Sequence, residues 1–385
     1  MAGGAVLKRC RVCGAALSNM PVIELRNMPD SAQGFLTKAQ LKRDRLRDLS
    51  IYQCNACGIL QHTNRPVPYY RDVIRASAYS PEMKAFRIKQ FRSFLNRFDL
   101  KDKKIIEVGC GRGEFVELMM RAGAQNVFGL EHSVSAVRQA RKRGLNVFQG
   151  YPEGSEYRIK NNPFDAFYTL NFLEHAPYIN EFLKNIQINL ADDAVGLVEV
   201  PNFDMMVYES MISEFIRDHI FYFTKDSFRH LLECNGFEVL ELEAIWYNYI
   251  LSAVVRKRRR IDLSHFSTAL ADLTLEFNDL KDRFRGKKIV VWGAGHQALA
   301  VLSMTGIYKS IDYVVDSAEF KQGLYCPGSK LEVKGPDILL KDRPDLIIVM
   351  CGSYSDEVAR IIRDMELGCA VVVLDGMRLK YIMGF

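Results

Sequence analysis

The stretch Ile105-Ile106-Glu107-Val108-Gly109-Cys110-Gly111-Arg112-Gly113 runs from an apolar strand directly into three glycines, each two residues from the next. Glycines at 109, 111 and 113 permit a tight turn whose backbone lies against a ligand at the carboxyl end of the strand, where open α/β sheets bind their ligands. A second apolar run, Val127 to Leu130, is closed by Glu131. That acid comes about 20 residues after the turn, the distance at which a Rossmann-type sheet offers a carboxylate to a ribose.

Outward from this stretch, apolar runs alternate with helical patterns from Lys103 to about Val255. The runs are Ile105 to Val108, Val127 to Leu130, Asn146 to Phe148, Phe164 to Leu170 and Val195 to Val200. Such alternation predicts a parallel sheet with helices on both faces. Upstream, Met83, Phe86, Phe91, Phe94, Leu95 and Phe98 recur at helical spacing and predict an amphipathic helix over Pro81 to Phe98. Downstream, Leu263, Phe266, Leu270, Leu273, Phe277, Leu280 and Phe284 trace one long helix, capped by Asp262 and stopped by Gly286. A second alternation opens at Lys288-Ile289-Val290-Val291-Trp292-Gly293-Ala294-Gly295-His296. It repeats the order of strand, glycine turn, helix, strand and acid, ending at Asp316. The echo fits a duplication or a chance likeness between two sheets of one class.

Two cysteine pairs, Cys10-Arg11-Val12-Cys13 and Cys54-Asn55-Ala56-Cys57, precede the first sheet. Two CxxC turns present four thiolates to one point, the donor set of a structural Zn2+ site. Disulfides or a redox CxxC are the rival reading. The amino terminus does not resemble a secretion signal, so the thiols are expected to stay reduced and the protein to be cytoplasmic. Cys110, Cys234, Cys326, Cys351 and Cys369 are scattered and read as core filler.

At 385 residues the chain exceeds what one core usually supports. The fold class expected is α/β, with two doubly wound Rossmann-like domains preceded by a small zinc-binding module. The boundaries read as 1–75 for that module, which carries too few apolar patterns to hold a core without metal, 76–258 for the first sheet and 259–385 for the second. No apolar run approaches the ~20 residues of a membrane span, so no membrane partner is expected. The net charge of +6 owes much to Arg256-Lys257-Arg258-Arg259-Arg260, which reads as an exposed joint between domains. A nucleic-acid stripe would need more charge or interleaved aromatics. The chain is expected to be a monomer or a weak homo-oligomer.

The arrangement Glu107-x-Gly109-x-Gly111-x-Gly113 with Glu131 resembles the class I S-adenosylmethionine-dependent methyltransferases rather than dinucleotide enzymes. The resemblance implies that Glu131 holds the ribose hydroxyls. The turn through Gly109, Cys110, Gly111 and Gly113 would meet the amino-acid portion of the cofactor, and His132 and Gln149 would border its adenine. An Asn-x-Leu-x-His segment, here Asn171 to His175, is common in those enzymes, with the loop backbone on the cofactor and the histidine facing the substrate.

Taken whole, from the cysteine knuckles to the second Rossmann-like domain, the chain resembles the sugar C-methyltransferases of deoxysugar biosynthesis, which act on nucleotide-linked 4-keto sugars. In that resemblance His219 is the base that removes the proton from carbon 3, Asp218 is the acid beside it, and Tyr79 matches a tyrosine that follows the zinc module. The carboxyl-terminal domain anchors the sugar nucleotide, with Gly293, Gly295, His296 and Asp316 as candidates. One departure stands out: the family reads Tyr-x-Glu-His where this chain has Ile216-Arg217-Asp218-His219.

The chemistry accounts for the residue types independently. A carbon beside a ketone is acidic enough for an imidazole base. The resulting enolate must meet an electrophilic methyl group in line, and polar groups near its oxygen, with His175 and Tyr79 as candidates, lower the barrier. O- or N-methylation of a sugar or small metabolite would use the same cradle. A zinc-ribbon protein that binds nucleic acid, and a scaffold that has lost activity, are readings of other classes.

Overall fold

The computed structural model describes residues 8–72 and 80–383. The chain forms two compact units, Met1–Arg259 and Arg260–Phe385. The first begins with β1 (Ile23–Pro29), β2 (Leu46–Gln53) and β3 (Leu60–His62), followed by α1 (Pro81–Arg97). Then come β4 (Lys104–Val108), α2 (Glu114–Ala122), β5 (Asn126–Glu131), α3 (Val134–Lys142), β6 (Asn146–Gln149), β7 (Phe164–Leu170), α4 (Ile179–Gln187) and β8 (Leu190–Pro201). It closes with α5 (Phe203–Tyr208), β9 (Phe221–Tyr222), α6 (Lys225–Cys234), β10 (Phe237–Ile245) and β11 (Ile250–Lys257). The second unit comprises α7 (Ser264–Arg283), β12 (Ile289–Trp292), α8 (His296–Thr305), β13 (Tyr313–Val315), β14 (Val333–Lys334), α9 (Ile338–Lys341), β15 (Leu346–Val349), α10 (Ser355–Asp364), β16 (Ala370–Asp375) and β17 (Arg378–Met383).

The large sheet of the first unit has the order β10-β11-β8-β7-β4-β5-β6, and that of the second β14-β13-β12-β15-β16-β17. In both, the first strand sits centrally between the second and fourth, the first five strands run parallel, and a reversed strand lies beside the fifth; in the first unit β10, on the far side of that reversed strand, is a sixth in the parallel direction. The echo in sequence is thus an echo in topology. Both sheets have their switch point between strands one and four, where such sheets bind ligands. Among the described residues no helix is long and apolar enough to cross a membrane.

Helix α1 starts where Pro81 follows Ser80, whose side chain accepts the amide of Met83. Its buried face differs from the apolar stripe. Phe91, Phe94 and Leu95 are buried as expected, but so is Arg87, whose guanidinium lies 2.6 Å from the buried Glu199 carboxylate on β8. Gln90 and Ser252 bind the same carboxylate, at 2.6 and 3.1 Å. Two buried charges are tolerated because each meets the other with further hydrogen bonds.

The amino-terminal strands pack onto the rest of the first unit. β1, β2 and β3 form an antiparallel sheet whose fourth strand is β9, with Leu60 opposite Tyr222 and Gln61 opposite Phe221. Cys10, Val12, Leu17, Tyr52, Cys54 and Ile59 share one apolar core with Phe172, Phe182 and Phe221 of the first unit. The reason is size: so short a stretch buries too little apolar surface alone and borrows a strand and a core. The Arg256–Arg260 run falls at the boundary between the two units, with Arg258, Arg259 and Arg260 exposed. Arg256 and Lys257 end β11, Lys257 reaches the Leu190 carbonyl at 2.7 Å, and Arg259 pairs with Asp193.

His62 ends β3 fully buried, with Nε2 donating to the Arg217 carbonyl at 3.0 Å and Nδ1 accepting the Asn64 amide at 3.2 Å. Burial, aided by nearby Arg11, pulls its pKa down to about 4. The unfolded chain therefore binds an extra proton between the ordinary imidazole value near 6.5 and about 4. This stability is present above 6.5 and lost as pH falls through that window. It amounts to at most roughly 3 kcal/mol, taking 1.36 kcal/mol per pKa unit. Urea unfolding of His62→Gln should lose less stability than wild type on acidification over this range; equal slopes would contradict the assignment.

Candidate active site

The glycine turn joins β4 to α2. Gly109, Gly111 and Gly113 all have positive φ, at 79°, 55° and 84°. Gly113 has a second constraint, because a Cβ there would lie 2.5 Å from Leu145 Cδ1. The turn is held from β5: the Gly109 and Cys110 amides donate to the Leu130 carbonyl at 2.9 and 3.1 Å. Glu131, buried at the end of β5, accepts the Gly111 amide on Oε2 at 2.9 Å and the Ser133 amide on Oε1 at 2.7 Å. Each oxygen keeps a second lone pair for a ligand hydroxyl. Burial raises the Glu131 pKa, with the two amides opposing.

The second unit repeats this clamp. Asp316 accepts the Ala294 amide on one oxygen and the Ala318 amide on the other, at 2.8 and 2.9 Å. Lys321 adds an ion pair at 2.9 Å. Burial acts to raise the Asp316 pKa, but Lys321 and the two amides outweigh it and hold the carboxyl below its usual range. Gly293 needs its φ of 121° and its missing side chain, since a Cβ would meet the Met350 carbonyl oxygen at 2.5 Å. Gly293, Gly295, His296, Asp316 and Lys321 line a cavity of about 650 Å³.

The other candidates sort by environment. Cys110 is buried with its sulfur packed beneath the turn against Gly129, so only its backbone faces the cradle. Glu107 is buried within β4. His132 is half-exposed, with Nδ1 2.9 Å from Asp72. Gln149 is exposed at the end of β6. Asn171 follows β7 with φ 50°, its amide donating to the Glu199 carbonyl at 2.9 Å. Tyr79 lies outside the described residues.

Beyond Asn171 the chain makes a short turn, Leu173–His175. His175 Nδ1 donates to the Asp218 carbonyl at 2.9 Å, and its ring meets that of His219 edge-on at 4.8 Å between centroids. Ring contacts run from His132, which follows Glu131, through Tyr151 and Phe172 to His175. Burial lowers both imidazole pKa values; for His219, His175 and His62 add to the effect. Both rings are therefore neutral near pH 7, with a lone pair available.

Asp218 is not the partner of the ring beside it. Its buried carboxylate accepts the Ala32 amide at 2.8 Å and the Tyr69 hydroxyl at 2.7 Å, tying the loop before β9 to the amino-terminal segment. Arg217 joins the same tie through Asp30 and the Arg65 carbonyl. Where the family pattern has a phenol and this chain has Ile216, the Tyr222 hydroxyl accepts the Ile216 amide and donates to its carbonyl. The acid that does face the imidazoles is Glu174, whose Oε1 is 3.9 Å from His175 Nε2. Burial raises its pKa to about 8. An acid inside an apolar run was the signal that could have singled it out.

The four cysteines converge. Cys10 and Cys57 sulfurs are 3.7 Å apart, those of Cys13 and Cys54 3.5 Å, and all four lie within 4.8 Å of one another. Tetrahedral thiolates about zinc stand about 3.8 Å apart, from the Zn–S length of about 2.3 Å. Gln61 on β3 donates to the Cys10 sulfur at 3.1 Å and accepts the Arg11 amide at 2.9 Å, orienting the knuckle.

Residues 83–242 match a family described as a methyltransferase domain, and residues 263–373 one described as a C-methyltransferase C-terminal domain. The C-methyltransferase NovU of Streptomyces niveus is 23% identical over 389 residues, covering 91% of each chain. Among solved structures, an S-adenosylmethionine-dependent methyltransferase from Mesorhizobium loti aligns at 14% identity with a TM-score of 0.35, over 43% of this chain and 96% of that one. The PH0226 protein from Pyrococcus horikoshii OT3 aligns at 17% identity with a TM-score of 0.39, over 50% and 99%.

Proposed function

We propose that this chain, a methyltransferase by both of its family matches, methylates carbon 3 of a nucleotide-linked 4-keto deoxysugar, with His219 as the base. The observation that carries the reading is the neutral His175–His219 pair, fixed by the Asp218 carbonyl in the same unit as the glycine turn. Carbon as the acceptor is supported by the second family match and by the likeness to NovU. S-adenosylmethionine would supply the electrophilic methyl group. Glu131 would accept the donor's ribose hydroxyls on its remaining lone pairs, and the turn at Gly109–Gly111 would lie against its amino-acid portion.

His219 takes the proton next to the ketone, and His175, held by the Asp218 carbonyl, packs edge-on against that ring and fixes its position. Zn2+ would be held by Cys10, Cys13, Cys54 and Cys57, where it stiffens the sheet that ends in β9 and so the loop bearing His219. The division into a metal-binding segment at 1–75, a donor-binding domain at 76–258 and a sugar-nucleotide anchor at 259–385 belongs to the same reading. The cavity around Gly293, Gly295, His296 and Asp316 is the anchor's candidate site.

Incubating the protein with a nucleotide-linked 4-keto sugar in heavy water, without methyl donor, tests this. Deuterium should enter beside the ketone; its absence would favour O- or N-methylation. Glu131→Ala should weaken donor binding by about 1 to 3 kcal/mol, the range for a hydrogen bond to a charged acceptor, read by calorimetry. Undiminished affinity would remove Glu131 from the donor site.

A further inference from the structure

We infer that Glu174, His175 and His219 form a second metal site, one that takes a divalent transition ion of the Zn2+ or Co2+ class. One ligand atom from each lies within 4.8 Å of the other two. The three come together because the turn after β7 and the loop before β9 meet: the Ile220 amide donates to the Glu174 carbonyl at 2.7 Å, and His175 donates to the Asp218 carbonyl.

Each group is prepared for a cation. His175 spends its Nδ1 proton on the Asp218 carbonyl, so Nε2 carries the lone pair, 3.9 Å from Glu174 Oε1. A histidine ligand with its other nitrogen on a backbone carbonyl is the usual outer-shell arrangement of metal sites. Glu174 Oε2 is buried and has no hydrogen-bond partner among the described residues. The cluster holds two imidazole lone pairs and a carboxyl group, so it offers more acceptors than donors, and one ion satisfies all three.

Metal–nitrogen and metal–oxygen bonds of about 2.1 Å place tetrahedral ligand atoms about 3.4 Å apart, so the Glu174–His175 pair needs to close by only about 0.5 Å. Two nitrogens and one carboxylate suit borderline ions rather than Mg2+ or Ca2+. His175 keeps 18% of its side chain exposed, which leaves an entry path. The inference goes beyond the methyl-transfer reading and does not require it. An ion seated there engages His219, so its binding and proton removal by that ring exclude one another.

The test uses the full-length protein with its cysteine cluster already holding one equivalent of Zn2+, titrated with Co2+. The expected result is one further equivalent, with a visible ligand-field band and no thiolate charge-transfer band. Glu174→Gln and His175→Ala should each weaken that binding at least about tenfold, with zinc content and circular dichroism unchanged. Excess Mg2+ should not displace the Co2+. Absence of a second equivalent in the wild type overturns the proposal, as does equal affinity in Glu174→Gln or displacement by Mg2+. If His175→Ala fails to fold, the wild-type titration and the near-isosteric Glu174→Gln still decide.

Discussion

His219→Ala should lower turnover by roughly a hundredfold to ten-thousandfold, the range for loss of a positioned general base, and leave affinity for S-adenosylmethionine nearly unchanged. The ring touches His175 and Tyr222, whereas the donor cradle is held by the Leu130 carbonyl and the Glu131 carboxylate. Under the proposed mechanism truncation therefore removes the proton acceptor without loosening the glycine turn. The loop itself should stay in place, since Asp218 remains bound to Ala32 and Tyr69. Single-turnover rates paired with calorimetric titration of the donor check this. A parallel loss of donor affinity would mean that His219 belongs to the cradle instead.

Cys54→Ser should release the metal and, with it, most of the activity. Cys54 is fully buried, and a hydroxyl is a poor replacement for a thiolate ligand. Structural zinc contributes on the order of 10 to 16 kcal/mol to the folding of small modules. Here the module is continuous with the first unit, because β3 pairs with β9 directly after His219. A displacement of about 1 Å at a reacting group costs about a hundredfold in rate, so loss of metal should reach the base through that strand. Metal analysis, turnover and hydrogen exchange over residues 216–222 read the effect, with β12 and β15 of the second unit as the unaffected reference. A metal-free variant with wild-type turnover would separate the cysteine cluster from the site.

The parallel strands were legible because each is a short apolar run bounded by turn residues, and the runs at 105–108, 127–130 and 164–170 fall within or coincide with β4, β5 and β7. The glycine turn and its acid were legible for a comparable reason. Positive φ at Gly109, Gly111 and Gly113 selects glycine locally, whatever the rest of the fold does. Helix α1 marks where periodicity stops informing. Its stripe predicts an apolar face, yet Arg87 is buried in it because Glu199 waits on β8, and no local pattern encodes a partner so far along the chain. β10, and the placement of the reversed strand β11 between it and β8, were likewise not apparent from the apolar runs.

The candidate site divides the same way. The family resemblance matched Asp218 to the acid beside the base, but its carboxylate turns toward Ala32 and Tyr69. Glu174, 45 positions before His219, is the carboxyl that faces the ring.

Sequence alone determined the alternation that builds two Rossmann-like sheets, the glycine-and-acid cradle and the four cysteines, because each depends on short-range spacing and on what one residue type can do. Tertiary structure alone decided that β1, β2 and β3 share a sheet with β9, that His175 meets His219, and that Glu174 rather than Asp218 turns to them. Those contacts join segments tens to well over a hundred residues apart. Their geometry is set by how the sheets and loops pack, which no local pattern carries.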